Sequence, residues 1–247
     1  TRYAWNKPAK PQNRTGGVQK PEKHQKDFED RGGSRHGVIK ADILRIAEEN
    51  KNTVVAMLVN HAQIPLLYNF LCSCEKRGIP CRKMVFVFTL DEPSFNFLQA
   101  IHIPSFHYKD THFEQMISFG GSGFSKIVLW KTFLVYDLLK LGVNVLFQDV
   151  DLVWQHDPLA YFHAEKRAYL DMAFSYDGPS TGQQPLYINS GFIYVHNTAA
   201  SRLVWKDAFL NAHTSNTQQA LLEPILTFHY FTNNLELSVL PDTVARN

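Results

Sequence analysis

The chain has 247 residues, 45% of them hydrophobic and 19% charged. That length suits one large domain or two small ones with a sizeable core; the composition is too apolar for a disordered chain, and three cysteines are too few for a disulfide scaffold. Residues 1–37 hold nine Lys/Arg against four Asp/Glu and the remainder 16 against 19, so the body lacks the basic surface that nucleic-acid binding requires.

Residues 1–37 carry Pro8, Pro11, Pro21 and two Gly-Gly pairs with little apolar periodicity, and read as a disordered or linker tail. Asn13-Arg14-Thr15 within it is a sequon, which acts only in the secretory pathway. No apolar run reaches the ~18–20 residues of a membrane span, and the polar opening Thr1-Arg2 is no secretory leader. Any membrane attachment is therefore expected through a segment absent from this chain.

From Val38 the pattern changes. Val38, Ile39, Ile43, Leu44 and Ile46 predict an amphipathic helix ending near Asn50. Thr53 to Val59 is a strand-length apolar run, and Ile64 to Arg77 is helical, stopped by Gly78. Met84 to Leu90 is a second buried strand, followed by a helix from Asp91 to Ala100 with Pro93 in its first turn. Ser105 to Tyr108 is a short third strand. The Gly120–Gly123 loop leads into a long helix from Phe124 to Leu141, which Gly142 stops, and Val143 to Phe147 is a fourth strand. Apolar strands alternating with helices predict an α/β fold, a mostly parallel sheet with helices on both faces. Such sheets bind ligands beyond the carboxyl ends of their strands, which directs attention to Asn60, Asp91 and the run from Gln148 to Asp151.

Asp149 and Asp151 lie at i and i+2 on an extended segment and point the same way. Unpaired, they repel; a divalent cation removes that penalty, and hard oxygen ligands suit Mn²⁺ or Mg²⁺. Many Asp-x-Asp tripeptides are only solvated loop acids, but this pair is flanked by an apolar strand and by Leu152-Val153-Trp154, where acids are costly unless something binds them. Lys131 lies in a helix that is apolar almost all round. It requires a phosphate or one of these acids as partner, or must reach solvent along the helix edge. In Tyr187 to Val195 a strand is interrupted by Asn189, Ser190 and Gly191, small polar residues that suit either a ligand contact or a β-bulge. Cys72, Cys74 and Cys81 read as small buried hydrophobes.

These segments, in this order, resemble the nucleotide-diphospho-sugar transferase domain of glycosyltransferase family 77, a GT-A-type family. The matching stretches are VVAMLVNHAQIPLLYNFLCSCEKRGIP, MVFVFTLDE, GFSKIVLWKTFLVYDLLKLGVNVLFQDVDLVWQHDPLAYF and YINSGFIYV. The resemblance implies a GT-A-like single domain over residues 38–247, truncated at its C-terminus or completed by other residues. It implies a Mn²⁺-dependent (or Mg²⁺-dependent), configuration-retaining enzyme that moves a sugar from a UDP-sugar donor to a glycan or glycoprotein acceptor in the Golgi lumen, with the cytoplasm as the alternative. Asp149 and Asp151 would hold the metal. Val150 would lie against the ribose, Asn60 and Asp91 would face the nucleotide, and Lys131 the diphosphate. Asn189, Ser190 and Gly191 would line the sugar pocket with Gln218 and Gln219.

Two places depart from the family's pattern. Its later Asp-Gln pair falls near Thr217-Gln218-Gln219, which holds no Asp, and the His that serves related folds as a third metal ligand has no counterpart before Asn247. His156 and His196 are nearest in sequence to the acids, and neither is assigned. No acid is required as a nucleophile: Asp177 and Glu223 enter only in a double-displacement scheme and are expected at the surface. Two other readings compete. A haloacid-dehalogenase-type phosphatase would use Asp149 as nucleophile and Asp151 as acid/base, but no later acidic motif follows. A non-catalytic sugar-nucleotide or glycan-binding module would keep the site without turnover.

Overall fold

The computed structural model describes residues 33–108, 124–178, 185–215 and 217–240. The sequon at Asn13 and the Gly120–Gly123 loop lie outside them. The α-helices are α1 (Gly33–Glu49), α2 (Ile64–Lys76), α3 (Glu92–Ala100), α4 (Phe124–Lys140), α5 (Pro158–Phe162), α6 (Ala199–Asn211) and α7 (Gln218–Thr232). The strands are β1 (Thr53–Val59), β2 (Val85–Thr89), β3 (Ser105–His107), β4 (Asn144–Gln148), β5 (Met172–Tyr176), β6 (Ile188–Val195) and β7 (Leu237–Leu240).

Every element expected up to β4 is present, with ends displaced by a residue or two. Gly78 and Gly142 end α2 and α4 with φ of 68° and 87°, the left-handed conformation a helix stop requires. One boundary moves further. Helix α1 begins at Gly33, so the last five residues of the segment read as tail are helical; the prolines that break helices end at Pro21.

The strands form one sheet in the order β3-β2-β1-β4-β6-β5-β7. β3, β2, β1 and β4 run parallel, β6 is antiparallel to both β4 and β5, and β7 is parallel to β5. This is the α/β architecture with a mostly parallel sheet that the sequence predicts. The continuous apolar runs follow from burial on both faces. On β1, Val54, Ala56 and Leu58 pack into the layer that holds α1, α4, α6 and α7, while Val55, Met57 and Val59 pack into the layer that holds α2, α3 and α5. The first layer is anchored by Ile43, Leu134, Leu138, Trp205 and Leu222, the second by Leu67, Phe70, Leu98 and Phe162. Cys74 and Cys81 are buried in the second layer, as expected, whereas Cys72 is partly exposed.

The chain lays β1, β2 and β3 outward in one direction and returns to place β4 on the other side of β1. The order reverses between β1 and β4, and the crevice at such a reversal is where open α/β sheets bind ligands. Asp149 lies at that point.

Candidate functional site

Alternation along β4 decides which way the acidic turn faces. Val145 and Phe147 pack on the α4 side and Leu146 on the α2 side, and the same parity carries on past the strand. Val150 and Trp154 join the α2 layer, 3% and 5% exposed. Trp154 Nε1 donates to Gln148 Oε1 at 2.6 Å, and its ring stands edge-on to Phe70 with centroids 5.0 Å apart. Residues 149–153 thus form a loop closed by a buried hydrogen bond. Asp149 takes the α4 side, and Asp151 is exposed at the tip.

Asp149 meets three groups. Its backbone N–H donates to the Gly191 carbonyl at 2.8 Å, extending the β4–β6 ladder past Gln148. Its Oδ1 is 2.5 Å from Lys131 Nζ. Its Oδ2 lies against Gly191, where a Cβ would come within 3.0 Å of that oxygen and 2.8 Å of Asn189 Oδ1. Any side chain at position 191 would therefore displace the carboxylate or the amide. Burial pushes the Asp149 carboxyl above the ordinary range; Lys131 pulls against that shift and Asp151 adds to it. Lys131 is paired with one of these acids in this structure: its side chain is 13% exposed, with Nζ 5.4 Å from the Phe147 ring centroid.

The segment from Asn189 to Gly191 is both a bulge and part of the site. Pairing with β5 jumps from Phe174–Ile193 to Ser175–Asn189, so Ser190, Gly191 and Phe192 bow away from β5. Bulges of this kind re-aim side chains beside functional sites. Asn189 Oδ1 accepts from Gly191 N at 2.6 Å, and its Nδ2 donates to Asp177 Oδ1 at 2.5 Å. Gln219 Nε2 donates to Asp177 Oδ2 at 3.0 Å and to the Ile188 carbonyl at 3.1 Å. Ser190 is buried. Asp177 is thus the hub that fixes both amides, a role absent from the sequence reading. It follows the apolar strand β5, and the rule of examining residues just after each strand reaches it once β5 is assigned.

Gln218 is fully buried, and neither end of its amide has a hydrogen-bond partner. It stands first in α7, behind the Thr217 cap, whose hydroxyl accepts from Ala220 N. The expectation that Glu223 plays a surface role is wrong. It is 4% exposed, and its two oxygens accept from Leu186 N and Ile188 N, both at 3.2 Å. The backbone entering β6 exposes donors that no strand satisfies there, and Glu223 supplies the acceptors. Just before β6, Tyr187 adopts φ 51°, uncommon for a bulky residue.

On the other side of the crevice, Asn60 and Asp91 form a second group. Asp91 caps α3: Oδ1 accepts from Ser94 N at 2.8 Å and Ser94 Oγ at 2.6 Å, and Oδ2 accepts from His61 N at 2.6 Å. One lone pair on Oδ2 is left for a ligand. Asn60 is 9% exposed, and its Oδ1 has no partner.

The donor set suits a hard cation held by only part of a shell. No group of three or more His, Cys, Asp or Glu able to hold a metal occurs among the described residues. His156 is exposed and His196 half-buried, and neither completes such a group. Asp149 and Asp151 offer two carboxylates, and an ammonium already stands as a cation on one of them. Mg²⁺-type sites are commonly built this way, with one or two carboxylates and the remaining positions taken by water and substrate phosphates.

Residues 81–247 match the family described as nucleotide-diphospho-sugar transferase. Among the similar proteins are several from Arabidopsis thaliana. A beta-arabinofuranosyltransferase is 24% identical over 183 residues, covering 72% of this chain and 33% of its own. A UDP-D-xylose:L-fucose alpha-1,3-D-xylosyltransferase is 29% identical over 169 residues, 62% of this chain and 44% of its own. An uncharacterized protein is 28% identical over 216 residues, 81% of this chain and 63% of its own. The chain therefore spans less than two thirds of the length of each of these relatives.

Proposed function

The chain belongs to the nucleotide-diphospho-sugar transferase family, glycosyltransferase family 77, and on that premise we propose that it transfers a sugar from a UDP-sugar to a hydroxyl of a glycan or glycoprotein, with retention of configuration. The observation that carries the reading is the contact of Asp149 with Gly191 and Lys131 at the point where the strand order reverses. A carboxylate, a close-packed glycine and a lysine converge where a diphosphate and its cation would lie.

Asp149 and Asp151 would hold Mn²⁺ or Mg²⁺, which when bound supplies positive charge opposite the departing diphosphate. The chain's own residues do the rest. Asn60 Oδ1 and the remaining lone pair of Asp91 supply acceptors for the N–H of a uracil, and the backbone at Val150 borders the ribose. Asn189 and Gln219, fixed by Asp177, orient the sugar hydroxyls. The acceptor hydroxyl attacks from the face that the leaving group vacates, and the departing phosphate takes its proton, so no separate base is needed. Two of the similar proteins are named for xylosyl and arabinofuranosyl transfer, which makes UDP-xylose the first donor to test. The proposed compartment is the Golgi lumen, which co-localisation with Golgi markers tests.

The deciding experiment is calorimetric titration of UDP with and without Mn²⁺, on the wild type and on Asp151→Ala. Asp151 is exposed and makes no ion pair among the described residues, so the variant is expected to keep its fold and lose Mn²⁺-dependent affinity. Unchanged Mn²⁺-dependent affinity would sink the assignment. Release of UDP from UDP-xylose on addition of acceptor then separates an enzyme from a non-catalytic binding module.

A further inference from the structure

We propose that Lys131 is a built-in counter-ion for Asp149, which a divalent cation must displace, so that metal and nucleotide bind this site cooperatively. The inference rests on the donor-site reading above and assigns a role to one residue within it.

The geometry is specific. Lys131 Nζ is 2.5 Å from Asp149 Oδ1, while Oδ2 is turned toward Gly191. The carboxylate thus has an ammonium on one oxygen and the Gly191 backbone beside the other, with its side chain 37% exposed toward the crevice. A cation that uses Asp149 approaches an oxygen already carrying a positive charge, and two cations on one oxygen repel strongly. The ammonium has room to leave. It is tethered by a flexible four-carbon stem, and its side chain is 13% exposed rather than sealed. Asp151, on the same turn, has no ion pair among the described residues. One acid of the two is thus neutralised before any metal arrives, which relieves their mutual repulsion and keeps the turn formed.

The exchange also links the two ligands. Metal binding alone strands the lysine without its acid, which lowers metal affinity. A diphosphate in the crevice offers the displaced ammonium a new anionic partner, which restores that affinity. Coupling of this kind is reciprocal, so each ligand raises affinity for the other by the same factor. Lys131 acts as a positioning residue in this scheme, through Asp149 and then through the nucleotide.

Two measurements on the intact chain test it. In the first, wild-type protein is lysine-acetylated under limiting reagent, and modification of Lys131 is read by mass spectrometry. Labelling is expected to rise severalfold on adding Mn²⁺ alone and to fall again when UDP joins it. In the second, Mn²⁺ is titrated alone and with saturating UDP into wild type, Lys131→Met and Lys131→Arg. Losing a charged hydrogen bond corresponds to roughly 10–150-fold. Lys131→Met is therefore expected to bind Mn²⁺ alone at least tenfold more tightly, with UDP adding less than it adds in the wild type; Lys131→Arg should retain the wild-type coupling. Labelling that is unchanged by saturating Mn²⁺, or coupling that is equal in Lys131→Met and wild type, overturns the proposal while leaving the donor site intact. Failure of the wild type to bind Mn²⁺ and UDP at all overturns both.

Discussion

The two halves of the sheet use polar residues differently. On the parallel side, Asp91 follows β2 by two residues, and its carboxylate serves the local fold: it caps α3 through Ser94 and holds the turn after β1 through His61 N. On the antiparallel side, the polar side chains around β6 hold one another. Asp177 fixes Asn189 and Gln219, and Asn189 in turn bonds the Gly191 backbone that packs against Asp149. A polar residue at the carboxyl end of a parallel strand is followed by a helix, and the helix needs a cap. The bulged strand β6 has no helix to cap: Glu223 satisfies the backbone at its entry, and Asp177, Asn189 and Gln219 bond one another beside the crevice. The first side is expected to answer mutation mainly with stability, the second with stability and ligand affinity together.

The largest expected effect breaks the antiparallel side at its base. Glu223→Ala leaves the buried N–H of Ile188 and the partly buried N–H of Leu186 without acceptors, at about 1–3 kcal/mol for the buried one and less for the other. A loss of about 3 kcal/mol in urea unfolding is expected, and a loss below 1 kcal/mol would show that water replaces the carboxylate at little cost. Next comes Asp91→Ala, at about 2 kcal/mol from the lost cap and the lost bond to His61 N. Asp91→Asn sharpens the comparison. Its side-chain oxygen can still cap α3, so a fall in UDP affinity with stability largely kept would assign Asp91 a ligand role in addition to its structural one. Asp177→Asn follows, at about 1 kcal/mol. An amide in place of the carboxylate keeps one acceptor oxygen and must release Asn189 or Gln219. UDP-sugar affinity should fall more than UDP affinity, because only the sugar meets those amides; equal losses would remove them from the sugar site.

The parallel half was legible in the sequence because burial on both faces writes itself as apolar runs: Thr53 to Val59, Met84 to Leu90 and Val143 to Phe147 each appear as strands within a residue or two. Helix stops at Gly78 and Gly142 were equally plain. In the antiparallel half β7 has only four residues, and β6 is interrupted by Asn189, Ser190 and Gly191, so period alone does not separate a bulge from a ligand contact; the structure shows the bulge, beside Asp149. The acidic pair could be read from its flanks, and Lys131 from its position in an apolar helix. The partner that Lys131 takes could not, because it depends on β4 and α4 meeting with matched parity on one face of the sheet. Glu223 was misread for a related reason. Its partners, Leu186 N and Ile188 N, are more than thirty residues away, and no local pattern announces unsatisfied donors at a distant strand entry.

The smallest expected effect lies at the opposite end of the strands that form the crevice, and it serves as a control. His163 Nε2 is 2.8 Å from Thr53 Oγ1, at the start of β1. Burial pushes its pKa below the usual imidazole value of 6.5; Lys51 and His196 push the same way, and Asp157 opposes them. A histidine with a depressed folded-state pKa binds fewer protons folded than unfolded between the two values, so stability rises with pH across that window. The contribution is present in full above pH 6.5 and declines as pH falls below it toward the folded-state value. His163→Gln keeps a polar group within reach of Thr53 but cannot titrate. Urea midpoints measured from pH 7.5 down to pH 5 should therefore fall more steeply for the wild type than for the variant, and the difference between the two curves isolates His163 from the other histidines. Parallel curves would show that His163 protonates as freely in the fold as in the unfolded chain. UDP affinity at pH 7.5 should be the same in both proteins, because Thr53 begins β1 while Asn60 and Asp149 follow the far ends of β1 and β4.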